Sequence, residues 1–260
     1  MSTQLFTRFR PAIVGYQKGN TRQEGAGQVL PNEFLLERDG DLSIYYVPSD
    51  YVNPDAKVIL LGITPGLTQA VNAIESAQTA LAQGCSDQEA LVGVQRAAGF
   101  SGKMRGPLVE MLDAVGLQRR LGIESAAALF DAKANWLQAA SALVFPVFVN
   151  GANYNGAPTM TRHPLLTKML TSHLVPLIKT LAHAIVIPLG PKPTLALDWV
   201  AQTHGIRPAM VLRGLPHPSG ANAERIAYFL GRKPRNNLSV KTDPDKLDDA
   251  KRQIIELLKA

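Results

Sequence analysis

His217 stands between two prolines in LPHPSGAN, and Thr64 stands before Pro65 in LLGITPGL. A histidine can donate from one ring nitrogen while accepting at the other, and its charge changes near neutral pH. The prolines restrict the backbone on both sides of it, so the ring is presented by a stiffened corner. Ser219 follows where a helix should begin, Gly220 gives access, and Asn222 is a second capping candidate. In the other motif Gly62 allows close backbone approach, Pro65 fixes the turn, and Gly66 is free to take a positive φ before the next helix. Such a turn aims backbone N–H groups at a helix start, which seats an anion or a polar ring edge. Each motif also has a plain structural reading: a buried polar residue with an N-cap for the first, a tight strand-to-helix turn for the second. Taken alone, the His-Pro-Ser triplet requires no more than that.

The elements that must position these corners read as alternating strands and helices. Four aliphatic runs are expected as buried parallel strands, at 56–62 (AKVILLG), 142–150 (ALVFPVFVN), 184–190 (AIVIPLG) and 209–215 (AMVLRGL). Helical patterns lie between them, including LTQAVNAIESAQTALAQG, GPLVEMLDAVGLQRRLG, SAAALFDAKANWLQAAS, PLLTKMLTSHLVPLIKTLA and PTLALDWVAQTHG. The alternation implies a three-layer α/β/α architecture around a central, mostly parallel four-stranded sheet. Such sheets bind ligands at the carboxyl ends of their strands, where both motifs fall. One domain is expected over 1–260, with an N-terminal extension at 1–50 and a C-terminal docking helix at 243–260. In that helix Asp243 reads as the N-cap and Pro244 as the first residue, with Leu247, Ala250, Ile254 and Leu257 on one face.

Hydrophobic residues make up 46% of the 260, enough for a sizeable core. The net charge of +6 favours a polyanionic partner. A single cysteine, Cys85, excludes an internal disulfide and thiolate-rich clusters, which fits a reducing, cytoplasmic setting. No apolar run reaches the ~20 residues of a membrane span, and the N-terminus lacks the pattern of a signal peptide. His173, His183 and His204 have no metal-ligand spacing, so no metal and no cofactor is expected. His163, beside Arg162 and Pro164, reads as a cap or surface residue. A monomer is expected.

Together the two corners carry more than either alone. GITPG after the first strand and HPSGAN after the last resemble the paired loops of the uracil-DNA glycosylase superfamily. GFSGKMRGPLVEML and FVNGANYNG fall in the matching order between them, so the likeness extends over about residues 56 to 231. The resemblance implies excision of a pyrimidine base from DNA, uracil or a modified base such as the decorated cytosines of viral DNA. The base would be flipped out of the stack before its bond to the sugar is cut. By analogy His217 donates to the pyrimidine O2, Phe100 stacks on the ring, and Asn150 reads the base edge, with Asn153 competing for that role. Ile63 and Thr64 line the pocket, while Gly66, Ser219, Gly220 and Asn222 hold flanking phosphates.

The sequence departs from that pattern at Thr64, where many members of the superfamily have Asp or Asn to position water. Threonine cannot act as a base at neutral pH, although its hydroxyl can orient a water. Glu110 is an alternative carboxylate, with a helix-surface charge as its structural reading. Arg105, Arg213, Arg232, Lys233 and Arg235 are candidate phosphate contacts. The alternative function is a non-catalytic DNA- or nucleotide-binding protein on the same fold, with the loss at Thr64 as its signature.

Overall fold

The computed structural model describes residues 3–19, 26–100 and 102–259. Parts of the expected N-terminal extension (1, 2 and 20–25) and the last residue of the docking helix lie outside them. Eight strands occur among the described residues: β1 (Leu35–Asp39), β2 (Leu42–Tyr45), β3 (Val58–Gly62), β4 (Leu137–Ser141), β5 (Val147–Val149), β6 (Ala152–Asn153), β7 (Ile185–Pro188) and β8 (Met210–Val211). They form two sheets of four. One is all parallel, in the order β4-β3-β7-β8. The other is antiparallel, in the order β1-β2-β5-β6, and the sequence reading did not foresee it.

β3 is the axis of the parallel sheet, and Val58 to Leu61 are fully buried. Ile59 and Leu61 point into one apolar cluster, with the helices Leu67–Ala82 and Pro164–Met169. Val58 and Leu60 point into another, with the helices Arg105–Val115 and Pro244–Lys259. Strand residues alternate between faces, so two separate clusters on one strand place helices on both sides of the sheet. The chain is therefore a mixed α/β protein with helical layers on both faces of a parallel sheet.

Two strand expectations are corrected. The run 142–150 is not the second parallel strand; that strand is β4, inside the segment expected to be helical. Leu, Gln and Ala in LQAAS favour helix intrinsically, but five consecutive residues pair in register with Val58–Gly62, and tertiary pairing overrides local preference. Residues 142–145 then continue beside the GITPG loop, with Ala142 N–H donating to Gly62 O and Leu143 N–H to Ile63 O, both at 2.9 Å. After Pro146 the chain enters the other sheet as β5. The run 209–215 keeps only the two residues of β8 as strand, and Gly214 turns away at φ 95°.

The first fifty residues contribute directly to the core. Phe6, Phe9 and Ile13 of the helix Gln4–Gly15 are buried in the same cluster as Ile59 and Leu61. Phe9 stacks on Tyr46 at 4.4 Å. At the other end, Pro244 opens the last helix and Asp243 Oδ1 accepts from Lys246 N–H at 3.2 Å, as the sequence implies. Its buried face uses Ile254 and Leu258, whereas Leu257, expected inward, is 43% exposed. Gly214 packs so closely on Ala250 that a Cβ added there would lie 2.4 Å from the alanine methyl.

Candidate functional site

The carboxyl ends of β3 and β4 and the loop after β8 border a single cavity of about 320 Å³. That is near the lower end of the ~300–1,000 Å³ typical of small-ligand sites. Ile63, Thr64, Gly66, Phe100, Asn153 and His217 all line it, so the two corners singled out in the sequence do converge. Among the described residues no Asp, Glu, Lys or Arg lines it; the walls are supplied by residues such as Val47, Leu91, Val94 and Val144. A phosphate in such a place would lose its hydration with no countercharge, whereas a neutral planar ring would lose little. His217, the one ionisable nitrogen base on the wall among the described residues, has its pKa lowered by burial. The N–H of Ser219 donates to its Nδ1 at 3.3 Å, which fixes the neutral tautomer with a hydrogen on Nε2.

Phe100 is held at φ 50°, a left-handed conformation costly for a bulky residue. Its ring tip comes within 4.0 Å of the place a Cβ on Gly62 would occupy, an ordinary van der Waals distance, so the ring packs against the end of β3. Arg105 supports this loop from behind: it reaches Gly99 O at 3.5 Å and lies over the Phe130 ring at 4.9 Å. Gly66, expected at a positive φ, is instead extended at φ −79°. A Cβ there would meet Gln69 Oε1 at 2.9 Å, the end of a flexible side chain that can turn aside.

Several role assignments are corrected. Asn150 does not line the cavity. With Gly151 it forms the two-residue turn between β5 and β6, at φ 51° and 75°, the left-handed pair that favours Asn-Gly in hairpins. Asn153, across the hairpin, faces the cavity, and its Oδ1 accepts from Leu67 N–H at 2.8 Å. That bond occupies a free N–H at the start of the helix Leu67–Ala82 and fixes the amide on the cavity wall. Thr64 is also committed. Its hydroxyl donates to Phe145 O at 2.9 Å and accepts from Val147 N–H at 3.2 Å, so its hydrogen is not available to orient a water. Thr64 joins the two sheets and has no free donor for chemistry.

Ser219, Gly220 and Asn222 flank the His217 corner without lining the cavity. Neither Ser219 nor Asn222 makes a side-chain cap; Asn222 Nδ2 donates to Ser219 Oγ at 3.3 Å, and its Oδ1 accepts from Arg225 at 2.8 Å. The candidate phosphate contacts are paired within the chain: Arg213 with Asp198, Arg232 with Glu110, Lys233 with Glu224 and Arg235 with Asp245, at 2.6 to 3.0 Å. Glu110 is thus an ion-pair partner on the surface and does not border the cavity. His163 heads the helix Pro164–Met169, 3.7 Å from Asp39.

Sequence reasoning overlooked Asp50. It lines a smaller chamber, about 40 Å³, which shares Ser49, Tyr51, Ala140, Ser141 and Val144 with the main cavity. Asp50 Oδ1 and the Tyr46 hydroxyl are both buried, and the hydrogen-bonding partner of each is the other. Burial pushes the Asp50 carboxyl up to about 6, against the lowering pull of its own backbone N–H and of nearby Tyr46. Tyr46 is raised too, first by burial and then by Asp50. His173 borders the same chamber, edge-on to Phe145 at 5.1 Å, and burial lowers its pKa. It sits in a π-helical turn, Leu170–Leu174, just ahead of Pro176, which has no N–H to continue the regular ladder. A proline in VPSDYV beside an acidic residue was the only hint that sequence offered.

Fold and site define an α/β protein with an uncharged, ring-sized cavity at the carboxyl edge of a parallel sheet. The chain belongs to the same family as "Uncharacterized protein YoxB" of Bacillus subtilis (strain 168), to which it is 37% identical over 204 residues, 77% of this chain and 80% of that protein. No family model matches the chain, and no solved structure matches it. No helix among the described residues is long and apolar enough to cross a membrane.

Proposed function

We propose that the protein is a DNA glycosylase of the uracil-DNA glycosylase superfamily, which flips a pyrimidine into the cavity and hydrolyses its bond to the sugar. The observation that carries this reading is the meeting of His217, Phe100 and the GITPG loop on one uncharged cavity. In the reaction the C1′–N1 bond breaks and its electron pair leaves with the base. A water oxygen bonds to C1′, and the proton it sheds neutralises the released base. The Nε2–H of a neutral His217 would donate to O2 as negative charge gathers there, in a site where burial makes such a donor strong. Phe100 would stack on the ring, its strained backbone held by the surrounding loop.

The second reading, a binder of bases or nucleotides that cuts nothing, draws on the committed Thr64 hydroxyl and on a cavity wall without a carboxylate. Substitution of His217→Ala separates the two. An enzyme loses base release by about 100-fold or more, as removal of an oxyanion-type donor does, while keeping most of its DNA affinity. Abasic-site formation on duplexes carrying uracil or modified cytosines reads the first quantity, and a salt-controlled binding titration the second. No abasic product from the unsubstituted protein on any of these duplexes overturns the enzymatic reading.

A further inference from the structure

Three side-chain amides stand on the cavity wall among the described residues, and the protein uses them differently. Asn153 Oδ1 accepts from Leu67 N–H at 2.8 Å, and Gln95 Nε2 donates to Leu137 O at 3.3 Å, so each has one end tied to backbone. Gln69 has neither its oxygen nor its nitrogen engaged by any group among the described residues. Most hydroxyls on the wall are committed as well: Ser49 donates to Val144 O at 2.8 Å, Thr64 to Phe145 O at 2.9 Å, and Tyr154 to Pro158 O, which leaves those of Tyr51 and Ser141.

Gln69 has a local use open to it that it does not take. It is the third residue of the helix Leu67–Ala82, whose N-cap is Gly66, and a glutamine there can reach back to the N-cap N–H to close a capping box. The following helix, Asp87–Ala98, closes one: Ser86 Oγ accepts from Glu89 N–H at 3.3 Å, and Glu89 Oε2 accepts from Ser86 N–H at 2.8 Å. The Gln69 amide lies against Gly66 instead, with Oε1 2.9 Å from the position of a Cβ there, and both residues line the cavity. One turn on, the same helix presents Ala73 to the cavity and buries Ala70, Ile74 and Ala77, so Gln69 is the polar member of an otherwise apolar face.

We propose that Gln69 is the specificity-determining residue of the cavity: its amide pairs with the edge of a pyrimidine formed by N3 and the group at position 4, and turns over to read uracil in one orientation and cytosine in the other. This rests on the reading of the cavity as a pyrimidine site and adds the residue that meets the ring away from His217. Uracil presents N3–H as donor beside O4 as acceptor, and cytosine presents N3 as acceptor beside its exocyclic amine as donor. A primary amide carries an acceptor beside a donor in one plane, so it meets either edge with two hydrogen bonds at the cost of one turn of its broad terminal torsion. Asn153 cannot make that exchange, because turning its amide would set a donor against Leu67 N–H. Gln69 and His217 reach the cavity from the helix that follows β3 and the loop that follows β8, strands on either side of β7, so a ring between them is held at two places.

The test titrates uracil, cytosine and 2-pyrimidinone as free bases by ligand-observed NMR; the last keeps the ring and O2 but has no group at position 4. The unsubstituted protein should bind uracil and cytosine within about fivefold of each other, and 2-pyrimidinone at least about tenfold more weakly than either. Gln69→Met keeps the length of the side chain and removes its hydrogen bonds. It should bring all three within about threefold, by weakening uracil and cytosine most, with an unchanged thermal midpoint. Gln69→Glu offers acceptors alone at neutral pH and should weaken uracil and cytosine at least about tenfold. A Gln69→Met variant that weakens all three bases by the same factor, or none of them, overturns the inference. So do a larger preference between uracil and cytosine in the unsubstituted protein and a failure to bind any of the three. Oligonucleotides with single uracil, cytosine or 5-hydroxymethylcytosine sites, scored for abasic product, test excision separately. The expected binding pattern with no product from any of them supports the inference and refutes excision, whereas product accompanied by base binding that Gln69→Met leaves unchanged supports excision and overturns the inference.

Discussion

Asp50→Asn should make the protein more stable at neutral pH, by an amount that grows with pH. Burial raises the carboxyl from 3.8 to about 6, outweighing the hydrogen bonds from its own backbone N–H and from Tyr46. At ~1.4 kcal/mol for each tenfold change, that difference is about 3 kcal/mol of opposition to the charged form in the folded state. The native state therefore holds this proton more tightly than the unfolded chain does. The favourable contribution of the protonated acid is fully present below the unfolded value of 3.8 and is lost as pH rises through about 6. An amide does not titrate, so the stability of Asp50→Asn minus that of the unsubstituted protein should climb by about 3 kcal/mol between about pH 4 and about pH 8. Other titrating groups cancel in the difference. Urea unfolding at intervals of pH measures it directly. A difference that stays flat over that range, or a variant less stable at the alkaline end, would refute the reasoning and show that burial does not outweigh the hydrogen bonds to Asp50.

Asn153→Asp should keep the acceptor for Leu67 N–H and with it the fold, yet bring a negative charge to the cavity wall; base affinity falls about tenfold or more with an unchanged circular dichroism spectrum. Thr64→Ala should cost about 1–3 kcal/mol in urea unfolding, because it leaves Phe145 O and Val147 N–H unpaired, whereas Thr64→Ser should restore most of it and keep full activity. An inactive but stable Thr64→Ser would show that the side chain does chemistry after all. Gly214→Ala should destabilise by about 2 kcal/mol or more, through its positive φ and its overlap with Ala250, and the double variant with Ala250→Gly should recover part of that loss. No recovery in calorimetry would place the whole cost in the backbone.

Much of the site was legible in the sequence because its key residues stand at strand ends marked by proline and glycine. Buried β-branched runs announced β3 and β7, and the corners after β3 and β8 were visible as breaker-rich motifs. The antiparallel sheet was not legible. Its strands are two to five residues long and draw on both ends of a 118-residue separation between Leu35 and Asn153, so no local window contains the pattern. β4 was hidden by helix-forming residues whose strand conformation exists only through pairing with β3. Asn150 was mistaken for the base reader because its Asn-Gly pair, a hairpin signal, was weighed as chemistry instead of as turn geometry. Asp50 was missed because an isolated acid in a loop has nothing in its neighbours to show that it will be buried.

Asn153 hangs from the antiparallel ladder, anchored through β5 to residues near the start of the chain, while His217 hangs from the far edge of the parallel one. Two walls of the cavity thus have separate mechanical supports. Lengthening or re-registering the small hairpin would reshape one of them without disturbing the imidazole on the other.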